Sequence, residues 1–141
     1  MGERRELTVD ATVENIGLVH GFVEKLLEGM DFSIVTQSQL DVAVEELFVN
    51  IAYYAYTPEV GKVTICGKVT ETPPGVELTF IDEGTPYNPL EKEDPDTHQP
   101  LCEREIGGLG IFLAKSNVDD MNYSYRDGKN ILTICKKLAQ K

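Results

Sequence analysis

Three groups of residues in this chain could do chemistry, judged by type and spacing alone. The first is Glu46, Asn50 and Tyr54. Spaced by four, they share one face of any helix that contains them. A carboxylate and a carboxamide one turn apart present oxygens to a common point. An amide oxygen suits Mg²⁺, a hard cation that keeps waters and takes substrate phosphates as ligands. The carboxylate beside it can accept a proton from a hydroxyl or a water. The plainer reading of the trio is a solvated helix face, and spacing by itself favours that reading.

The second group is Asp82-Glu83-Gly84-Thr85-Pro86. An Asp after an apolar run, followed closely by Gly, is commonly a turn. It also fits a buried carboxylate reading the amino group of a base, with Gly84 letting a ligand come close. The third is Gly107-Gly108-Leu109-Gly110. Glycines at a helix start leave backbone N–H groups open to an anion, which the helix dipole favours. This is a candidate phosphate cradle. It is not a dinucleotide fingerprint, because Leu113 stands where a third Gly is needed and no strand leads directly into it. Nor is it a P-loop; the nearest match, Gly61 to Gly67-Lys68, has wrongly spaced glycines and Val69 in place of Ser or Thr.

The elements that must position these groups follow from periodicity. Residues 4–9 read as a short strand. A helix over 13–30, capped by Asp10 or Thr12, has an apolar face of Ile16, Val19, Val23, Leu26, Leu27 and Met30. A second helix over 38–56 carries Leu40, Val44, Leu47, Phe48 and Ile51 on the side away from Glu46 and Asn50. Strands are expected over 62–70 and 76–82, rich in Val, Ile, Thr and Phe. Residues 83–106 show no period and read as a lid or binding loop. A third helix over 107–117 and two strands, 120–126 and 130–137, joined at Asp127-Gly128, complete the chain. The order β-α-α-β-β-lid-α-β-β predicts an α+β fold, a two-layer α/β sandwich of one domain spanning 1–141.

Composition narrows the function. Of 141 residues 41% are apolar, which is globular rather than disordered. Twenty-four acids against thirteen bases leave a charge of −11, a poor match for a nucleic-acid backbone and a better one for partners with basic patches. No stretch is long and apolar enough to span a bilayer. The start, MGERRELTVDA, lacks the apolar core of a signal peptide. Cys66, Cys102 and Cys135 form neither a C-x-x-C pair nor a zinc pattern, so a reducing, cytoplasmic location is expected.

The order and contents of the three groups resemble the GHKL, or Bergerat-fold, ATPase superfamily, and within it the anti-sigma-factor serine/threonine kinases. AVEELFVNIAYYAY is similar to their N-box, DEGTPYNP to their G1 box, and IGGLGIFLAKSNVDDMNY to their G2 box and following helix. The resemblance runs from the first strand to Leu138. It implies a mixed, mostly antiparallel sheet with helices on one face and an ATP lid at about 88–106. It implies ATP and Mg²⁺ as cofactors, with Asn50 as metal ligand and Glu46 as general base. Asp82 would bond the adenine amino group and Gly84 would line its pocket. Gly108, Leu109 and Gly110 would offer backbone donors to the phosphates. The implied reaction moves the γ-phosphoryl group to a serine or threonine of an anti-sigma-factor antagonist of STAS type. A sigma factor is the other implied partner, in a partner-switching pathway, and a homodimer is expected.

The chain also departs from the pattern. Many relatives carry His at the position of Tyr54, and some carry Arg at that of Ile106, for which Arg104 is the nearby substitute. Relatives often bring a Thr toward the nucleotide from the turn before the last strand; here Gly128-Lys129-Asn130 stands there, and neither Asn130 nor Thr133 is assigned as a ligand. Six acids in the lid against Lys92 and Arg104 would repel phosphates; the plainer reading is a solvated, disordered loop, and the functional one is that closure needs Mg²⁺ or a basic partner surface. Two alternatives remain open: a nucleotide-binding module without turnover, and the separate ATPase domain of a histidine kinase. His20 precedes Gly21-Phe22 rather than an acid, which does not resemble a phosphoacceptor.

Overall fold

The computed structural model describes residues 4–56, 59–71, 73–88, 90 and 106–138, without the side chains of 71 and 106–109. Its elements are β1 (Arg5–Asp10), α1 (Ile16–Leu26), α2 (Ile34–Tyr54), β2 (Lys62–Glu71), β3 (Pro74–Asp82), α3 (Ile106–Ser116), β4 (Asp120–Arg126) and β5 (Lys129–Lys137). Most of the expected lid, with Cys102 and Arg104, lies outside the described residues.

The strands form one sheet in the order β1-β2-β3-β5-β4, antiparallel at every described pairing. The mixed, mostly antiparallel sheet anticipated from the sequence is thus antiparallel throughout these strands. The β4–β5 hairpin turns on Asp127 (φ 53°) and Gly128 (φ 78°), the paired left-handed conformation that a tight two-residue turn requires.

Period-two alternation sorts the sheet into two faces. On β3 the buried row is Val76, Leu78, Phe80 and Asp82; on β5 it is Ile134, Leu132 and Asn130. The opposite face is more polar, with Thr8 Oγ1 2.9 Å from Thr64 Oγ1 and Thr79 Oγ1 3.1 Å from Thr133 Oγ1. The helices cover the apolar face and form the second layer of the sandwich. Phe48, Leu47, Leu40 and Val44 of α2 meet Phe80, Leu78 and Ile65 of the sheet in one core, all of them 1% exposed or less. Each such side chain contributes about 1.5–3 kcal/mol by leaving water.

Helix boundaries differ from the periodic reading at two places. The first helix is shorter than 13–30. A 3₁₀ turn, Val13–Asn15, precedes α1, and the chain leaves the helix after Leu26 to turn at Gly29 (φ 89°). Neither Asp10 nor Thr12 caps through its side chain. Instead Asn15 Nδ2 donates to the Asp10 carbonyl at 2.9 Å and to Thr12 Oγ1 at 3.3 Å, fastening the strand-to-helix corner. The second helix starts earlier than 38. Ser33 is its N-cap, accepting from Thr36 N–H at 3.1 Å. The first turn hid from the pattern because Ile34 and Val35 are apolar yet 81% and 61% exposed.

Candidate nucleotide and phosphotransfer site

α2 is the spine of the site. A rise of about 1.5 Å per residue puts Asn50 about 6 Å along the axis from Glu46, and Ala55 about 7.5 Å beyond Asn50. Glu46 and Asn50 are half-buried, and Tyr54 is exposed. Glu45, next in sequence to Glu46, points elsewhere. Its Oε1 lies 3.2 Å from His20 Nε2 on α1, while His20 Nδ1 lies 3.8 Å from Asp41 Oδ1. His20 is thus a helix-surface residue held among carboxylates.

At the Glu46 end, α3 packs on α2. A Cβ placed on Gly110 would sit 3.0 Å from Glu46 Oε1, so the Gly-rich helix start and the carboxylate adjoin. Ile111 and Ala114, both buried, anchor α3 in the core and hold Gly110 at this distance. Burial, and then the negative charge of Glu45, push the Glu46 carboxyl above its ordinary range, making it a better proton acceptor. The same residue lines an open cleft of about 300 Å³ between α1 and α2, with His20, Glu24, Asp41, Val42 and Glu45. A hydroxyl from outside can therefore reach it.

At the other end the Asp82–Pro86 turn docks on the C-terminal end of α2. Thr85 N–H donates to the Ala55 carbonyl at 2.9 Å. A Cβ on Gly84 would lie 2.2 Å from that carbonyl oxygen. The glycine is required here by the helix end, a stronger reason than the ligand approach inferred from the sequence. Tyr56 adds a second clamp: its hydroxyl donates to the Lys62 carbonyl at 2.6 Å and accepts from Glu83 N–H at 2.7 Å.

Asp82 itself is 5% exposed. Its Oδ1 accepts from Gly84 N–H at 2.9 Å and from Asn130 Nδ2 at 3.0 Å. Burial raises its pKa above the usual value, and these two hydrogen bonds offset part of that rise. No described donor meets Oδ2. The residue the sequence reading left unassigned is Asn130, 6% exposed, which lies directly opposite Asp82 in the β3–β5 register. The resemblance drew attention to its position, but its contacts come from which strand pairs with which, and that is not local.

Among the described residues no three His, Cys, Asp or Glu side chains gather as a metal-ligand set. The oxygens at Glu46 and Asn50 instead suit a Mg²⁺ that takes one protein ligand and completes its shell with water and phosphate. Gly110, set against Glu46, and Asp82, with one oxygen uncommitted among the described residues, fit the phosphate and base ends of a nucleotide. Among the described residues, no helix is long and apolar enough to cross a membrane.

Comparison with known proteins bears on the family and the fold. Residues 9–136 match the family model described as the histidine kinase-like ATPase domain. The serine-protein kinase RsbW of Bacillus mycoides is 25% identical over 134 residues, covering 92% of this chain and 82% of its own. RsbW of Bacillus cereus matches with the same identity and coverage. A crystal structure of RsbU and RsbW domains from a Mycobacterium tuberculosis protein superposes with a TM-score of 0.67 at 16% identity, covering 98% of this chain and 34% of that one. The chain thus spans about a third of the solved structure it matches, and the likeness there is one of fold.

Proposed function

The chain belongs to the histidine kinase-like ATPase domain family, and from that premise we propose that it is an ATP-binding anti-sigma regulatory factor that phosphorylates serine or threonine on an antagonist protein. The observation that carries the proposal is the arrangement along α2. Glu46 lies against Gly110 at one end, and Asp82 is docked at the other through Gly84 and Thr85, with Asn50 between them. A nucleotide lying along this line meets a base acceptor, an amide oxygen for its metal, and backbone donors for its phosphates, in that order.

In this mechanism Asp82 takes the amino group of adenine. Asn50 holds Mg²⁺, and Gly108, Leu109 and Gly110 of α3 offer N–H groups to the phosphates. Bound Mg²⁺ supplies charge neutralisation between the phosphoryl oxygens. Glu46 accepts the proton of the partner's hydroxyl as its oxygen bonds to the γ-phosphorus and the bond to the leaving ADP breaks. The raised pKa of Glu46 matches that task, because a half-buried carboxylate gains from taking up a proton. The partners are a sigma factor and an antagonist of STAS type, the working unit is a homodimer, and the compartment is the cytoplasm. The names of the Bacillus relatives support the kinase activity.

The test is transfer of labelled γ-phosphate from ATP to candidate antagonist domains, with wild-type protein and Glu46→Gln. Wild type should label the antagonist. The variant should do so about 10²–10⁴-fold more slowly, the usual contribution of a general base, with its nucleotide affinity within a few-fold of wild type. Equal rates would remove Glu46 from the chemistry. Nucleotide binding with no transfer to any antagonist would make the protein a sensor instead of an enzyme.

A further inference from the structure

The imidazole of His20 has a carboxylate on each side, and the reaction above gives none of the three groups a role. Its Nε2 lies 3.2 Å from Glu45 Oε1, and its Nδ1 lies 3.8 Å from Asp41 Oδ1. Ionised carboxylates only accept. A neutral imidazole has one N–H, so it donates to one of the two and turns a lone pair to the other. The shorter distance assigns that N–H to Nε2, toward Glu45, and the lone pair to Nδ1, toward Asp41. A second proton fits at Nδ1, where an acceptor already stands. Asp41 and Glu45 are one turn apart on α2 and His20 is on α1, so the protonated ring ties the two helices at two points. Glu24, one turn beyond His20, and Glu46 line the same cleft, and among the described residues no cation other than His20 does. On the far side of α2, α3 meets Glu46 with Gly110, which brings no charge.

We infer that His20 is a positioning residue for the proposed proton transfer and makes it pH-sensitive: the neutral ring leaves the charge of Glu45 standing beside Glu46, and the protonated ring cancels it. The inference rests on the phosphotransfer reading above and adds to it a group that sets the strength of the base. Glu45 is the link, because it is next in sequence to Glu46 and bonded to His20. After burial, its negative charge is what holds the Glu46 carboxyl above its ordinary range. A positive ring against Glu45 therefore makes Glu46 less ready to take a proton. Above the pH at which Glu46 itself titrates, the carboxylate is ionised either way, so a weaker base means slower transfer. An imidazole ordinarily takes its proton nearer neutrality than a carboxylate does. Transfer then falls with pH in two steps, a shallow one from His20 and a complete one from Glu46. The Asp41 and Glu45 side chains keep 41% and 56% exposure, so solvent screens the countercharge and the first step is several-fold rather than orders of magnitude.

The experiment makes two measurements on the full chain, for wild type, His20→Gln, Glu45→Gln and the double variant. The first follows the Glu46 side-chain carboxyl by carbon NMR against pH, assigned by its absence from Glu46→Gln. It should titrate at higher pH in His20→Gln than in wild type, and at lower pH in Glu45→Gln. In the double variant the displacement due to His20 should shrink to about half or less, because its route through Glu45 is gone. The second is the pH profile of phosphoryl transfer to an antagonist domain. Between about pH 8 and pH 6, where an ordinary imidazole gains its proton, wild type should slow about two- to fourfold and His20→Gln should stay level. A residue that only supports the fold would scale the rate at every pH and leave the shape of the profile alone. If His20→Gln leaves either the Glu46 titration or the shape of the profile as in wild type, His20 is not the positioning residue. Should His20→Gln fail to fold, Glu45→Gln decides, and an unmoved Glu46 titration there overturns the inference. Transfer by wild type with an unmoved titration sinks this inference alone. If wild type transfers phosphate to no antagonist, the kinase reading falls, and this inference with it.

Discussion

Replacing Asp82 by Asn should make the protein at least as stable and nearly unable to bind ATP. Asp82 Oδ1 accepts two hydrogen bonds, from Gly84 N–H at 2.9 Å and Asn130 Nδ2 at 3.0 Å. Both are donors, so an Asn at position 82 must turn its amide oxygen toward them. Its NH₂ then occupies the place of Oδ2 and aims a donor at the donor of the base. Losing a hydrogen bond to a charged acceptor costs about 1.5–3 kcal/mol, roughly ten- to a hundredfold in affinity, and the facing donors add to this. Stability moves the other way. The folded pKa of Asp82 is raised from 3.8 by burial. Between the unfolded and folded values the unfolded chain binds fewer protons, so wild-type stability falls as pH rises through that window and stays lowered above it. The variant lacks this loss. Glu46 is raised in the same direction, but it is present in both proteins and cancels in their difference. The assay is calorimetric titration with Mg-ATP, together with thermal unfolding from about pH 4 to pH 8, spanning the carboxylate range and neutrality. Affinity within threefold of wild type would refute the geometry. A wild type that gains stability over the variant as pH rises would refute the burial argument.

Two glycines give opposite outcomes. Gly110→Ala should raise the stability of α3 by about 0.5–1 kcal/mol, because Ala is the better helix former. Its Cβ, 3.0 Å from Glu46 Oε1, should displace the carboxylate and cut phosphoryl transfer tenfold or more; melting temperature and rate measured on one preparation check both halves. Gly84→Ala forces a Cβ to 2.2 Å from the Ala55 carbonyl oxygen, backbone that cannot swing aside. Overpacking of this kind costs about 1–3 kcal/mol or more, so denaturant unfolding should show a large loss, accompanied by loss of nucleotide binding as the Asp82 turn lifts off α2.

The acids near Glu46 shape its chemistry without joining it. Glu45 is turned to His20, yet its charge adds to the rise in the Glu46 pKa. The cleft they share with Glu24 and Asp41 gives the carboxylate an outer side, while Gly110 bounds its inner side. In the proposed reaction Glu46 therefore stands between the cleft that would admit a protein hydroxyl and the helix start that would take phosphates.

Much of this could be read directly from the chain, where the reason is a local period. Glu46 and Asn50 share a face because 3.6 residues make a turn, wherever the helix is packed. Asp82 falls in the buried row with Leu78 and Phe80 because strand side chains alternate, wherever the sheet is placed. Other features arise between segments far apart in sequence. Asn130 matters because β5 pairs with β3 in the register that sets it opposite Asp82. Gly84 is needed because the end of α2 arrives beside it, and Gly110 because α3 is laid against Glu46. The early start of α2 escaped the pattern because exposed Ile34 and Val35 imitate a buried face. Periodicity is a property of the backbone and is written into every short window. Pairing and docking are chosen by burial summed over the whole core, so no short window contains them.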